Sequence, residues 1–163
     1  MSTFWAYFWP PVAAGFVFAL IGGLIAFRRK RRMPLIVAAI LSILAAAAWH
    51  GPLGAAARLT KQIESISRMS LDSYEMPIIA SHLHHGPLTR AIQLSGPADD
   101  FQRSELALIQ EQIPGVSFAS WTGKGGLPLI VEGLLAALLG FLIGAALAYV
   151  AELRRRYNAQ WTW

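Results

Sequence analysis

Three imidazoles fall within four residues at His82, His84 and His85. At that spacing, nitrogen ligands could hold zinc or copper. Alternation along a strand places His82 and His84 on one face and His85 in the following turn. No cysteine exists anywhere in the 163 residues, and no acid nearby completes a ligand set. The trio therefore reads first as a solvated hairpin tip and only weakly as a metal site. A second grouping is His50 with Glu132, the end of one apolar run and the start of another. An ionisable group at membrane depth needs a partner or water: an imidazole–carboxylate pair would satisfy both, Arg58 and Lys124 are alternative partners for Glu132, and Glu132 snorkelling to the nearby interface is an equal reading.

His50 carries a further reading. Ala46 stands four residues before it in "AAAAWH". A small residue one turn before a histidine resembles the pigment-ligand motif of bacterial light-harvesting polypeptides, which implies bacteriochlorophyll or haem near His50. Alanine-rich helices produce this spacing by chance, so no cofactor is the primary expectation. Phosphate-loop, nucleophile and Hx₃H patterns are absent from the sequence. "GPADD" reads as helix-start charge rather than an acid pair, and "TGKGGLP" as a linker. A non-enzymatic protein is expected.

The elements that would position these residues are apolar. Hydrophobic residues make up 55% of the chain and charged ones 14%, against about 25% charged in an ordinary soluble domain. Phe4–Phe27 has no charge and would form about 36 Å of helix, enough to cross a core of about 30 Å. Pro34–His50 is shorter, and would need continuation through Pro52–Ala57 or local thinning of the bilayer. A third run covers 127–153, with Glu132 near its start. The expected class is thus an α-helical membrane protein with three transmembrane helices and a small α+β extracytoplasmic domain. Its parts are a hairpin over 1–52 (spans 4–27 and 34–50), a periplasmic domain over 53–126, a third span over 127–153 and a cytoplasmic tail over 154–163.

Orientation follows from cations. Arg28, Arg29, Lys30, Arg31 and Arg32 separate the first two runs, and Arg154, Arg155 and Arg156 follow the third, whereas Gly51–Gly126 holds six basic and seven acidic residues. Basic loops stay in the cytoplasm. The expectation is a bacterial inner (plasma) membrane protein with a periplasmic N-terminus and a cytoplasmic C-terminus. The net charge of +5 is then a topology signal, with no nucleic-acid partner. "FWAYFWPP" and "YNAQWTW" read as interfacial aromatic anchors. Small residues recur at helical spacing: Gly15, Ala19 and Gly23; Ala38, Ser42 and Ala46; Gly133, Ala137, Gly140, Gly144 and Ala148. Such faces let helices approach closely in lipid, within the chain or against another subunit.

The middle segment reads helix, strand, strand, helix, strand. Leu59, Ile63, Ile66 and Ser70 mark one helical face, which could continue the second run as a stalk. "MPIIASHL" and "TRAIQLSG" form a hairpin around "HHGPL". Asp99 with Gln102 makes a capping box for a helix to Ile113, and "VSFASW" is the third strand. Ile92, Leu94 and Gly96, followed by a helix and then Pro114, Gly115 and Val116, resemble the second half of a BON domain. The match is good over roughly 30 residues and loose over 55–121; the first strand and helix fit the family pattern less well. The resemblance implies a non-enzymatic αββαβ module of the envelope that binds membrane or protein and carries no catalytic residue. Together these readings give an accessory or assembly subunit of a membrane protein complex, in contact with the lipid bilayer. Two other readings are a photosynthetic or respiratory electron-transfer subunit with a cofactor at His50, and a self-associating envelope sensor forming a homo-oligomer.

Overall fold

The computed structural model describes residues 3–123 and 125–160. Its elements are α1 (Thr3–Arg29), α2 (Met33–His50), α3 (Ala55–Ser73), β1 (Ala80–His85), β2 (Leu88–Ser95), α4 (Asp100–Glu111), β3 (Phe118–Ser120) and α5 (Leu129–Ala159). Helices α1, α2 and α5 are long and apolar enough to cross a membrane, consistent with a multi-pass membrane protein. The chain separates into two compact units. One is Gly54–Glu132 with the start of α1 through Tyr7; the other is Phe8–Leu53 with Gly133 onward. The expected boundary near residue 126 therefore moves: the first turns of α1 and α5 belong with the sheet.

In the helical unit, α1 continues through Pro10 and Pro11. Neighbouring groups can re-satisfy the freed carbonyls in a membrane helix, so proline is tolerated there. Helix α2 has 18 residues, about 27 Å at 1.5 Å each. It ends at His50, and Gly54 adopts a left-handed conformation (φ 68°) ahead of α3. The stalk expected from fusing these helices does not form, because Pro52 lacks the amide to continue the ladder and Gly54 turns the chain. Helix α5 runs 31 residues to Ala159, so most of the expected tail is helix. At about 46 Å it exceeds a hydrocarbon thickness of about 30 Å.

The other unit has the expected αββαβ order around a three-stranded sheet, β1-β2-β3. Strands β1 and β2 are antiparallel, with Ala80 opposite Ser95 and Leu83 opposite Ile92; β2 and β3 are parallel, with Ile92 opposite Ala119. The β1–β2 connection is tighter than expected. His85 closes β1 rather than lying in the turn, which is formed by Gly86 and Pro87 across a cis peptide. A register shift between Leu83 and His85 interrupts the alternation, so His84 does not simply repeat His82. Helix α3 packs on β1 and α4 on β3. Ile63, Leu71, Ile92, Leu94 and Leu106 are in the core.

Two polar residues complete that core. Ser67, rather than the expected Ile66 or Ser70, lies on the buried face of α3 with Leu59, Ile63 and Leu71. Its hydroxyl lies 2.6 Å from both the Ser81 hydroxyl and Gln110 Oε1. The helical face advances four residues per turn from Leu59, and the hydrogen bonds offset the burial of Ser67. Helix α4 carries the expected capping box: Gln102 N donates to Asp99 Oδ1 at 2.7 Å and Asp99 N to Gln102 Oε1 at 3.1 Å. Gly96 (φ 135°) and Gly115 (φ 106°) hold conformations that β-carbons disfavour. A Cβ on Gly115 would also press on Ile63 Cδ1 at 3.2 Å. Both sheet edges receive a helix carboxylate. Glu64 accepts from Leu83 N at 3.0 Å, and Glu111 from Ala119 N at 3.1 Å. These bonds blunt the edges against strand addition.

Arg68 ties the end of α3 to the segment before β1. It donates to the Ile79 carbonyl at 2.9 Å and, through Nε, to Asp72 at 2.9 Å. That hydrogen bond holds the Asp72 carboxyl below the usual aspartate range, against an opposing effect of partial desolvation and with a smaller contribution from the attraction of the Arg68 charge. A depressed carboxyl stabilises the folded form above the ordinary value near about 4 and loses that contribution as pH falls through the lower folded value. Lowering the pH from about 5 to about 2 is therefore expected to speed amide exchange at Tyr74–Met76 by a few-fold relative to Asp72→Asn at each pH. The effect is small because both groups face water. Identical profiles for the two proteins would remove the pair from this account.

Candidate functional site

The strongest polar constellation lies where the sheet meets the first turns of two apolar helices. Arg90 sits mid-β2, on the face that alternation shares with Ile92 and Leu94. Glu132 sits in the first turn of α5. Arg90 Nε donates to Glu132 Oε2 at 2.5 Å and Nη2 to Oε1 at 3.1 Å. The fork is bidentate, and the side chains are only 19% and 15% exposed. Arg90 Nη1 also donates to the Gly115 carbonyl at 3.2 Å, and the guanidinium stands 5.2 Å from the Phe4 ring centre. Tyr7, 2% exposed, donates to the Leu129 carbonyl at 3.4 Å. Thr89 bridges to Pro128 just before α5 begins. One arginine thus gathers β2, the α4–β3 loop, the start of α1 and the start of α5.

This corrects the pairing expected for Glu132. Its need for a counter-charge is met by Arg90, whose five fixed donors match a carboxylate better than an imidazole does. The sequence reading did not single out Arg90. The only signal for it was the single charged residue in that strand. His50 ends α2 and is half-buried. Ala46, the residue that would clear a macrocycle, is itself buried, in line with Ala38 and Ser42. Of the alternative partners, Arg58 lies exposed on α3 and Lys124 falls outside the described residues.

The three hairpin imidazoles do not converge. His82 is exposed, His84 Nδ1 lies 3.0 Å from the Pro87 carbonyl, and His85 Nε2 lies 3.5 Å from Glu64. Among the described residues, no group of three or more His, Cys, Asp or Glu side chains is placed to hold a metal ion.

The small-residue faces are brought together inside the helical unit. Gly15, Ala19, Gly23, Gly133, Ala137, Gly140, Gly144 and Ala148 are all buried. A Cβ on Gly15 would fall on the Ala137 carbonyl, one on Gly140 on the Val12 carbonyl, and one on Gly144 on the Phe16 carbonyl. On Gly22 it would meet Ala38 Cβ at 2.6 Å, and on Gly23 Ala148 Cβ at 2.7 Å. Backbone meets backbone along α1 and α5, the geometry small residues permit in lipid. These faces are filled by the chain's own helices, one of the two alternatives that the small-residue spacing leaves open. The aliphatic faces left outward include Ile36, Ile40 and Leu44 of α2 and Leu135, Leu139 and Leu142 of α5.

At the basic end of this unit, Glu152 is 6% exposed. Arg155 grips it through Nε and Nη2, both at 2.9 Å, and Arg156 through Nε at 2.9 Å. Arg156 Nη2 also donates to the Phe27 carbonyl at 3.1 Å, satisfying the last turn of α1. Arg28, Arg29, Lys30, Arg31, Arg32 and Arg154 are exposed. Trp5 and Trp9 are about half exposed, as interfacial rings would be, whereas Trp161 and Trp163 of the C-terminal aromatic stretch fall outside the described residues. Compared with protein-family models, with curated proteins and with solved structures, the chain matches none.

Proposed function

We propose that this chain is a non-enzymatic accessory subunit of a bacterial plasma-membrane complex, presenting a BON-like binding domain outside the cytoplasm. In this reading both basic clusters lie in the cytoplasm and the αββαβ unit in the periplasm, because short basic loops are retained inside. The observation that carries the proposal is the Arg90–Glu132 clasp, a bidentate pair between a sheet strand and the first turn of a membrane-length helix. The BON-like assignment is supported by the parallel β2–α4–β3 unit and by positive φ at Gly96 and Gly115.

Because the small-residue faces are filled within the chain, docking to a companion runs through the outward aliphatic faces of α2 and α5. Affinity purification from native membranes in a mild detergent tests this. A membrane protein recovered at a fixed stoichiometric ratio is the expected result. Recovery of the chain alone, as a monomer or as a homo-oligomer, would overturn it.

A further inference from the structure

We propose that the basic end of the helical unit is a binding site for one anionic phospholipid of the surrounding bilayer. Two depressions there share a wall. A cleft of about 720 Å³ is lined by Leu24, Ile25, Arg28, Arg29, Ala151, Glu152 and Arg155. A groove of about 440 Å³ between α1 and α2 includes Phe18, Ile21, Val37 and Leu41, and it too is bordered by Ile25 and Arg29. A charged cleft thus opens beside an apolar groove, with Arg29 at the junction. A phospholipid has the same two parts at the same adjacency.

The charges select its class. Three guanidinium groups, Arg28, Arg29 and Arg155, face one carboxylate, Glu152. Both oxygens of that carboxylate are already taken by Arg155 and Arg156. Glu152 therefore fixes the position of Arg155 without cancelling the cleft. Among the described residues, neither Arg28 nor Arg29 has a carboxylate partner. Guanidinium forks match phosphate oxygens. The excess positive charge disfavours a choline headgroup and favours a lipid with net negative charge, as basic pockets between membrane helices do. In the bound state the phosphate sits among Arg28, Arg29 and Arg155, and one acyl chain lies in the groove along Ile21, Val37 and Leu41. Arg29 and Ile25, common to both depressions, hold the glycerol region.

Native mass spectrometry of the full chain in micelles, titrated with phosphatidylglycerol or phosphatidylcholine, reads this directly. Phosphatidylglycerol is expected to bind at one site, about tenfold tighter than phosphatidylcholine, whose phosphate is the same but whose ammonium adds a positive charge beside the three guanidinium groups. Arg29→Gln and Arg155→Gln should each weaken it by about tenfold. Arg154→Gln removes the same charge beside Arg155 on α5, at a residue that lines neither depression, and should stay within about twofold. Equal losses in all three variants would reduce the effect to bulk attraction and overturn the site. Equal binding of the two lipids would do so as well. On the unaltered chain, phosphatidylglycerol should raise the thermal midpoint in micelles while inorganic phosphate at the same concentration leaves it unchanged. An equal rise with phosphate would show that the acyl groove plays no part.

Discussion

Gly140→Leu is expected to destabilise the helical unit by about 3 kcal/mol, at the upper end for overpacking. The added Cβ alone would overlap the Val12 carbonyl and lie 3.0 Å from Val12 Cα. Neither obstacle is the end of a flexible side chain that can swing aside; both are backbone atoms of α1. The two helices must separate, and separation undoes the close approaches at Gly15 and Gly144 along the same seam. In lipid the loss is not offset by hydrophobic burial elsewhere, because acyl chains are as apolar as leucine. Leu139→Ala, at an outward position that is 57% exposed, is the matched control and should stay within about 0.5 kcal/mol. Unfolding in mixed micelles, followed by tryptophan fluorescence, measures both. If Gly140→Leu unfolds with the unaltered chain, the α1–α5 seam is not what holds this unit together.

That seam was legible before any coordinates, and for a physical reason. Where solvent and side chains are equally apolar, helices associate where small residues recur at turn spacing, so composition along one face marks the contact. Gly15 meets Ala137, Ala19 meets Gly144 and Gly23 meets Ala148 for that reason. What the pattern does not carry is the identity of the partner, since a small-residue face serves an internal neighbour and another subunit equally. The capping box at Asp99 and Gln102 was legible because it is set by contacts a few residues apart.

Long-range polar satisfaction was not legible. Ser67 and Gln110 stand 43 residues apart, and each by itself reads as part of a solvated face. Tyr7 read as one more belt aromatic beside Phe4, Trp5 and Trp9, yet of these four it is the one that is buried. The far end of α5 was placed too early because hydropathy finds the bilayer and not the helix. Glu, Leu and Arg are good helix formers, so the helix continues through Arg154–Arg156 past the end of the apolar run.

Arg90→Ala is expected to cost about 3 kcal/mol in the stability of the sheet unit, because it strands the Glu132 carboxylate in a site that is 15% exposed. It also removes the hydrogen bond to the Gly115 carbonyl and the cation over Phe4. Glu132→Ala leaves the mirror problem, an unpaired guanidinium, but Arg90 keeps its Gly115 and Phe4 contacts, so about 2 kcal/mol is expected. The double variant should be less destabilised than the sum of the two by about 1–3 kcal/mol, the range for groups in direct contact. Arg90→Lys retains the charge and loses the fork, so it should recover only part of the loss. Denaturant unfolding in micelles, with proteolytic susceptibility of the α4–β3 loop as a local readout, gives all four values. A strictly additive cycle would mean that the pair is a surface ion pair of no consequence. The mechanical link from the sheet to the first turn of α5, and with it the observation that carries the proposed function, would then fail.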